Sequence, residues 1–141
     1  MRVWSNGCFD LFHYGHLKML EFASEQGDEL FVGIDSDNKV KQSKGNHRPF
    51  TPQNQRVELI ENIRFVDKVF IFDSQKELED IIKSNNIDII VIGNDYIDKH
   101  VVGEEYVKQV VFFPKLQNIS TSSLEKRIID IYIKQSELNE N

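Results

Sequence analysis

Short apolar runs that alternate with amphipathic stretches are the feature that most constrains the fold of this chain. The run 29–35 (ELFVGID) has an unbroken apolar centre, and 87–93 (IDIIVIG) is the most strand-like run of all. Such runs are typical of parallel strands that helices cover on both faces. Since helical patterns lie between them, the sequence predicts right-handed βαβ units and an α/β fold, a Rossmann-like open parallel sheet with helices on both faces.

The other segments extend this pattern along the chain. We predict strands over 2–8, 29–35, 67–72, 87–93 and 110–114, and helices over 16–27, 51–65, 74–86, 101–109 and 120–133. Thr51 is a candidate cap with Pro52 at the first helical position, Ser74 caps the next helix, and Ser120 or Thr121 caps the last. Residues 36–52 are expected to form a long polar connection, residues 1–133 a single domain, and residues 134–141 a polar C-terminal tail.

Composition narrows the class of protein. A chain of 141 residues with 40% hydrophobic and 28% charged residues suits one globular domain. Its net charge of −6 argues against broad nucleic-acid binding. We expect a cytoplasmic protein without a membrane span, because no apolar run approaches the length of a span or a signal peptide. Cys8 is the one cysteine, which excludes an intramolecular disulfide.

Polar stretches follow three of the predicted strands, and a fourth opens the last helix. In open α/β sheets, ligands bind beyond the carboxyl ends of the strands. We therefore expect these stretches to meet at one edge of the sheet and form a site. They are residues 7–16 (GCFDLFHYGH), 33–45 (GIDSDNKVKQSKG), 93–96 (GNDY) and 118–123 (NISTSS).

The first of these stretches predicts a phosphate site. His13 and His16 offer ring N–H donors for phosphoryl oxygens, or positive charge if protonated. Helix N-termini near residues 14–16 and 120–121 hold anions readily, and Gly15 permits a close approach to the backbone. Candidate partners for a triphosphate are the cations Lys41, Lys44, Arg48 and Arg56 and the hydroxyls of Ser120, Thr121 and Ser122.

Other interpretations of these residues remain open at this point. There is neither a P-loop motif nor a Gly-x-Gly-x-x-Gly motif, which argues against the usual NTPase and dinucleotide folds. A histidine pair three residues apart also suits half of a zinc site, but few further ligands are present. Asp10 suits either Mg²⁺ binding or the orientation of a ring or backbone group. Arg64 suits either a phosphate contact or an ion pair with Asp67.

Taken together, these stretches resemble the cytidylyltransferase-like nucleotidyltransferase superfamily. His13, Gly15 and His16 match its His-x-Gly-His signature, and the resemblance covers the chain to about residue 131. Matches in the preceding Gly-x-Phe-Asp, in Gly-x-Asp-Tyr and in the closing Ile-Ser-Thr element follow in the family's order. The nucleotide-binding residues that this resemblance implies are Gly7, Cys8, Phe9, Asp10, Gly15, Gly93, Asp95, Tyr96, Ser120, Thr121 and Ser122.

The resemblance implies a reaction and its participants. The α-phosphate of an NTP, ATP or CTP, would be joined to a small phosphorylated acceptor by direct in-line attack, with release of pyrophosphate. Mg²⁺ would accompany the triphosphate, no protein ligand for it is assigned, and a homodimer is expected. The implied catalytic residues are His13, His16 and Lys44, and the implied acceptor-binding or phosphate-binding residues are Lys41, Arg48, Arg56 and Arg64.

Two subgroups of the superfamily compete. Residues 32–56 are similar to the adenylyltransferase part of ADP-heptose synthesis enzymes, and the matching positions are Lys44, Gly45, Arg48, Pro49, Pro52 and Arg56. The stretches GNDY and NIST are more similar to glycerol-3-phosphate cytidylyltransferase, but Lys115 stands where that subgroup has arginine. We therefore favour adenylyl transfer to a sugar 1-phosphate for a surface polysaccharide precursor. The alternatives are transfer from CTP to glycerol 3-phosphate and a non-catalytic nucleotide-binding module.

Overall fold

A five-stranded parallel sheet forms the centre of the computed structural model, which describes residues 1–114, 116 and 119–140. The strand order across the sheet is β3-β2-β1-β4-β5. This confirms the predicted Rossmann-like α/β class, and each predicted strand is present to within two residues. The strands are β1 (Arg2–Gly7), β2 (Glu29–Asp35), β3 (Lys68–Phe72), β4 (Ile89–Gly93) and β5 (Gln109–Phe113).

The helices are α1 (Tyr14–Ser24), α2 (Asp37–Lys44), α3 (Gln53–Glu61), α4 (Gln75–Ser84) and α5 (Thr121–Glu140). Of these, α1 and α3 pack on one face of the sheet and α4 on the other. Alternate residues of the strands point to opposite faces, so Val3 packs with Leu20 of α1 and Ile60 of α3, whereas Trp4 packs with Ile82 of α4. Among the helices that the structure describes, none has both the length and the apolar character of a membrane span.

Gly33 of β2 allows Trp4 to pack closely in the core on the face of the sheet that α4 covers. A Cβ on Gly33 of β2 would lie 2.3 Å from a ring carbon of Trp4. Trp4 is fully buried, and its indole N–H donates to Asn6 at 2.9 Å. The largest side chain of the core therefore lies flat on the neighbouring strand, where any residue other than glycine would displace it.

Four details of the sequence prediction are corrected. Residues 36–52, expected to be a connection, contain α2. The side chain of Ser36 caps this helix by accepting from the Lys39 N–H. The helix has no apolar stripe, and only Val40 of it is buried. No side chain caps α3, since Pro52 occupies the cap position. The helix predicted over 101–109 is a single 3₁₀ turn, Glu104–Tyr106. The expected polar tail is helical through residue 140, as part of α5.

Candidate active site

A cavity of about 510 Å³ opens at the carboxyl ends of the strands. It lies around the ends of β1 and β4, where the order of the strands reverses, and its volume is that of a typical small-molecule site. All four polar stretches contribute to its wall, as the sequence predicted. The predicted residues that line it are Gly7, Cys8, Phe9, Asp10, His13, Gly15, His16, Lys44, Gly93, Asp95, Tyr96, Ser120 and Thr121.

His13 is the N-cap of α1, and this role fixes its tautomer. Its Nδ1 accepts hydrogen bonds from the backbone N–H of Gly15 at 3.1 Å and of His16 at 3.4 Å. An accepting Nδ1 carries no proton, so the proton of the neutral ring is on Nε2. That Nε2 is buried and has no partner among the described residues. An N–H donor at the cavity wall is thus left to bind an incoming group.

In His16, as in His13, Nδ1 is the ring atom that accepts a hydrogen bond from the backbone. Its Nδ1 accepts from the backbone N–H of His13 at 3.2 Å, which completes a reciprocal capping box. The neutral His16 ring therefore also carries its proton on Nε2. The two imidazoles are stacked, with centroids 3.7 Å apart and an interplanar angle of 20°. Phe9 contacts His16 edge-on at 5.3 Å, so the pair is held by packing as well as by hydrogen bonds.

Electrostatics keep His13 neutral. Burial lowers its pKa below the ordinary value of 6.5, because a charged ring would lose hydration. A second proton would also have to enter at Nδ1, where it would displace the two N–H groups of the cap. His13 is therefore a neutral hydrogen-bond donor at pH 7. The alternative role as a positive charge does not fit this geometry.

Glycine at position 15 gives the cap space. A Cβ there would lie 3.0 Å from Cε1 and 3.1 Å from Nδ1 of His13, and 3.2 Å from Cγ2 of Ile119. At these distances the imidazole or Ile119 would have to move by a few tenths of an ångström. Gly15 thus allows the ring of His13 and the chain before α5 to approach the start of α1 together.

Asp10 joins three segments of the chain at the floor of the site. Its carboxylate accepts from the backbone N–H groups of Phe50 and Thr51 and from Nε of Arg48 at 2.8 Å, and its carbonyl accepts from the Thr121 hydroxyl. Burial alone would raise its pKa, but these donors outweigh burial and lower it. Asp10 is therefore an ionised carboxylate whose acceptor sites are taken, which favours the orienting role over Mg²⁺ binding.

The turn that carries Asp10 is strained. Phe9 and Leu11 have φ angles of 56° and 48°, in the left-handed region that side chains disfavour. Phe9 is only 2% exposed, so burial of its ring offsets the strain. Backbone strain of this kind is concentrated at functional sites. Here it brings Asp10 and the start of α1 to the end of β1.

Two of the predicted phosphate ligands are instead buried in the structure. Arg56 is 0% exposed, and it donates to the carbonyl oxygens of Cys8, Asp35 and Thr51 and to the carboxylate of Asp37. Arg48 is 3% exposed and pairs with Asp10 and with Glu125 of α5. Neither lines the cavity. The guanidinium of Arg56 is thus taken up mainly by backbone carbonyl groups, and that of Arg48 by two carboxylates, so in this structure neither faces the cavity.

Of the remaining residues predicted to belong to the site, some line the cavity and others lie outside it. Lys44, at the end of α2, lines the cavity, whereas Lys41 is exposed and lies outside its wall. Arg64 and Ser122 are also exposed and outside the cavity. Lys115, considered as a replacement for the family's arginine, lies outside the described residues. Ser120 both lines the cavity and caps α5 by accepting from the Ser123 N–H at 3.0 Å.

Asp35 and Lys39 line the cavity, and sequence reasoning missed both. Lys39 Nζ lies 3.6 Å from Asp35 Oδ1. Burial raises the pKa of Asp35, and the charge of Lys39 opposes that effect. The signal was available, since Asp35 is the last residue of a predicted strand. The other cavity-lining residues not predicted as site residues are Asn6, Met19, Ser43, Ile92, Phe113, Leu116 and Ile119.

Comparison with protein families gives one match over most of the chain. Residues 4–134 match the family described as Cytidylyltransferase-like. The chain is 41% identical over 126 residues to the bifunctional protein HldE of Campylobacter fetus, and 44% identical over 128 residues to that of Campylobacter jejuni subsp. doylei. These matches cover 89% and 91% of the chain. The chain spans only 27% and 28% of the length of these two relatives.

Solved structures with the same fold agree with this match. The lipopolysaccharide core biosynthesis protein from Thermoplasma volcanium superposes with a TM-score of 0.68 at 26% identity, and the match covers 83% of this chain and 98% of that one. A protein of unknown function from Archaeoglobus fulgidus gives a TM-score of 0.65 at 16% identity, which is a likeness of fold alone.

Proposed function

Because the chain belongs to the cytidylyltransferase-like family, we propose that it is a nucleotidyltransferase which transfers a nucleotidyl group from an NTP to a small phosphorylated acceptor. The observation that carries the proposal is the stacked pair of His13 and His16, two rings at the cavity wall whose Nδ1 atoms both accept hydrogen bonds from the backbone. Fixed N–H donors in a partly buried cavity suit a reaction whose transition state gains charge on phosphoryl oxygens.

In this reaction an anionic oxygen of the acceptor phosphate attacks the α-phosphorus of the NTP. One P–O bond forms as the bond from the α-phosphorus to the bridging oxygen of the β-phosphate breaks, and pyrophosphate leaves. Because the attacking oxygen is already deprotonated, the step needs no general base. The Nε2–H groups of His13 and His16 bind oxygens on which charge accumulates, and the ammonium group of Lys44 offsets the charge of the phosphates.

Position in the sheet suggests which substrate each wall binds. Gly93, Asp95 and Tyr96 follow β4, on one side of β1, and we assign the nucleotide to them. Asp35 and Lys44 lie on the opposite side, beyond β2, and we assign the acceptor to them. The carboxylate of Asp35 is suited to accept hydrogen bonds from acceptor hydroxyls, while Lys44 is suited to hold its phosphate.

Mg²⁺ is the cofactor that we propose for the triphosphate. Among the described residues, no group of three or more His, Cys, Asp or Glu side chains is placed to hold a metal ion. We therefore propose that the ion is bound mainly by the phosphates of the NTP, as Mg²⁺ commonly is in nucleotide enzymes. When bound, it would neutralise phosphate charge, in addition to the donors of the protein.

For the substrates, we favour ATP and a sugar 1-phosphate of the heptose type, in the synthesis of a surface polysaccharide precursor. Support comes from the similarity of residues 32–56 to ADP-heptose adenylyltransferases and from 41–44% identity to HldE proteins. The transfer of a cytidylyl group from CTP to glycerol 3-phosphate, with release of pyrophosphate, is the alternative that GNDY and NIST favour. We further propose that the enzyme acts in the cytoplasm as a homodimer.

A pyrophosphate-release assay tests the proposal. ATP and CTP are each combined with heptose 1-phosphates and with glycerol 3-phosphate, with and without Mg²⁺. Turnover with ATP and a heptose 1-phosphate supports the favoured substrates, and turnover with CTP and glycerol 3-phosphate supports the alternative. Nucleotide binding without pyrophosphate release for any pair would contradict catalysis and indicate a non-catalytic binding module.

Variants in the same assay test the assignment of the residues. The variant His16→Ala is expected to lower kcat by more than about a hundredfold, as the loss of one transition-state donor does elsewhere. Lys44→Ala is expected to lower kcat/KM, whereas Lys41→Ala on the same helix should leave it unchanged, because Lys41 lies outside the cavity wall. Equal effects of the two lysine variants would contradict the role of Lys44.

A further inference from the structure

The start of helix α5 is held to the body of the protein by two polar contacts. The Thr121 hydroxyl donates to the backbone carbonyl of Asp10. One turn further on, the Glu125 carboxylate accepts from Nη1 of Arg48 at 3.2 Å. Residues four apart are neighbours on the surface of a helix, so both contacts lie on the same face. Beyond them, the side chains of residues 126–133 are all exposed. These two contacts therefore anchor α5 at its cavity end.

Asp10 is the residue on which both contacts converge. Thr121 binds its carbonyl oxygen. Arg48 links its carboxylate to Glu125, because Nε donates to Asp10 at 2.8 Å while Nη1 donates to Glu125. Asp10 and Arg48 are 1% and 3% exposed, so salt screens this link only weakly. The other oxygen of Glu125 lies 3.3 Å from Nε2 of His47, which is exposed and contributes little. The start of α5 is thus held by a residue of the turn between β1 and α1.

Two contacts one turn apart fix the direction of a helix, whereas one contact leaves a pivot. Thr121 and Glu125 are separated along the axis by about 6 Å, at ~1.5 Å per residue. Ser120 and Thr121 line the cavity, so a change in the direction of α5 moves the groups that it presents there. A shift of about 1 Å at such a site is enough to weaken binding or catalysis strongly. Glu125 can therefore influence the cavity without lining it.

We propose that Glu125 is a positioning residue for the NTP, which acts through Arg48 to hold the start of α5 against the triphosphate. The inference rests on the proposed function and on the prediction that Ser120 and Thr121 bind phosphate. Glu125 has no part in the chemical step, since its carboxylate binds Arg48 and lies outside the cavity wall.

The bonds that remain without Glu125 indicate which part of the site would move. Residues 48–51 would keep one guanidinium N–H and two backbone N–H groups on the Asp10 carboxylate. Of its two contacts described above, α5 would keep the one from Thr121. Lys44, on the wall assigned to the acceptor, lies close in sequence to the segment that stays in place. The loss of Glu125 is therefore expected to affect binding of the NTP more than binding of the acceptor.

Calorimetric binding of ATP and of CTP to the full chain, without acceptor, tests the proposal. Glu125→Ala should raise the Kd of the nucleotide that the parent binds more tightly by at least about tenfold, because displaced donors lose charge-assisted bonds to phosphate. Glu125→Gln keeps an oxygen that accepts from the Arg48 guanidinium, so its Kd should stay within about threefold of the parent value. Asp130→Ala removes an exposed acidic residue further along α5 and is the matched control, with an unchanged Kd. In the pyrophosphate assay, the acceptor KM should change less than about twofold in all three variants.

A double variant tests whether Glu125 acts through Arg48. Arg48→Lys keeps the charge but lacks the planar fork that binds Asp10 and Glu125 together. In that background Glu125→Ala should raise the Kd by less than about twofold more, because the link is already broken.

Three results would overturn the proposal: a parent-like Kd for Glu125→Ala, an equal effect of Asp130→Ala, or the same rise for Glu125→Ala in both backgrounds. A lower urea midpoint with an unchanged Kd would assign Glu125 to the stability of the fold alone, and would overturn it as well. The Kd is measured without acceptor. A parent chain that binds nucleotide but releases no pyrophosphate would therefore contradict the proposed reaction and not this inference.

Discussion

Removing the buried guanidinium of Arg56 should destabilise the fold rather than weaken acceptor binding. The structure gives this side chain four partners, three carbonyl oxygens and the carboxylate of Asp37, and leaves none of it exposed. The carbonyl groups belong to Cys8, Asp35 and Thr51, which lie next to the cavity or at the start of α3. The variant Arg56→Ala therefore leaves three partly buried acceptors without their donor.

The size of the effect follows from these contacts. An acceptor left unsatisfied in the interior costs about 1–3 kcal/mol, and breaking a buried charge pair costs about 3–5 kcal/mol. Since Asp37 is a third exposed and can be hydrated, we take about 4 kcal/mol for the whole substitution. That is a large part of the ~5–15 kcal/mol by which domains are stable, and it corresponds to a fall in Tm of roughly 10 °C.

Urea unfolding at equilibrium measures this loss directly. Arg64→Ala is the matched control, because Arg64 is exposed just after the same helix and its removal should change stability by less than about 0.5 kcal/mol. Acceptor KM is measured on the folded fraction of each variant. An Arg56→Ala protein with the parent's unfolding midpoint and an acceptor KM raised tenfold or more would refute the reasoning and restore the phosphate-binding role.

Three further predictions concern the start of α1. His13→Asn keeps an N-cap oxygen but loses the Nε2–H donor, so turnover should fall about 10²–10³-fold while the urea midpoint changes little; an equal loss of both would show that the cap alone matters. Because the pKa of His13 is lowered in the fold, the unfolded chain binds more protons just below pH 6.5, and stability should fall on acidification through that range. Between neutral pH and a pH about one unit below 6.5, the urea midpoint should therefore fall more for the parent than for His13→Asn. An equal fall in both proteins would contradict a lowered pKa of His13. Gly15→Ala should displace the imidazole and lower kcat with a smaller effect on nucleotide Kd; a parent-like kcat would show that the ring adapts.

The sheet and the position of the site were predictable because both follow from local patterns. Unbroken apolar runs mark buried parallel strands, and the polar stretches after them meet wherever parallel strands end together. Helix α2 was missed because it buries only Val40 and so has no stripe to detect. Its start was nevertheless encoded, since Ser36 followed by Asp37 is a usual beginning of a helix.

The roles of the arginines were not predictable from the sequence. Beside a phosphate motif, a conventional interpretation of Arg48 and Arg56 is that they bind phosphate, because charge is all that the sequence displays. Their partners are backbone carbonyl groups and carboxylates from distant segments, and a carbonyl group has no sequence signature. Asp35 differs from the arginines, because its position as the last residue of a predicted strand already indicated the edge of the sheet where the cavity lies.

The cap at the start of α1 also determines how that helix acts on a bound anion. The N–H groups of Gly15 and His16, which would hold a phosphate directly at an open helix end, donate to the imidazole of His13 instead. The positive end of the helix dipole therefore polarises the imidazole ring. It withdraws electron density through Nδ1 and makes Nε2–H a stronger hydrogen-bond donor. An open helix end accepts an anion from many directions, whereas one polarised N–H has a single axis. Helix α1 therefore favours an oxygen that lies along that axis, which is selection by direction rather than by charge.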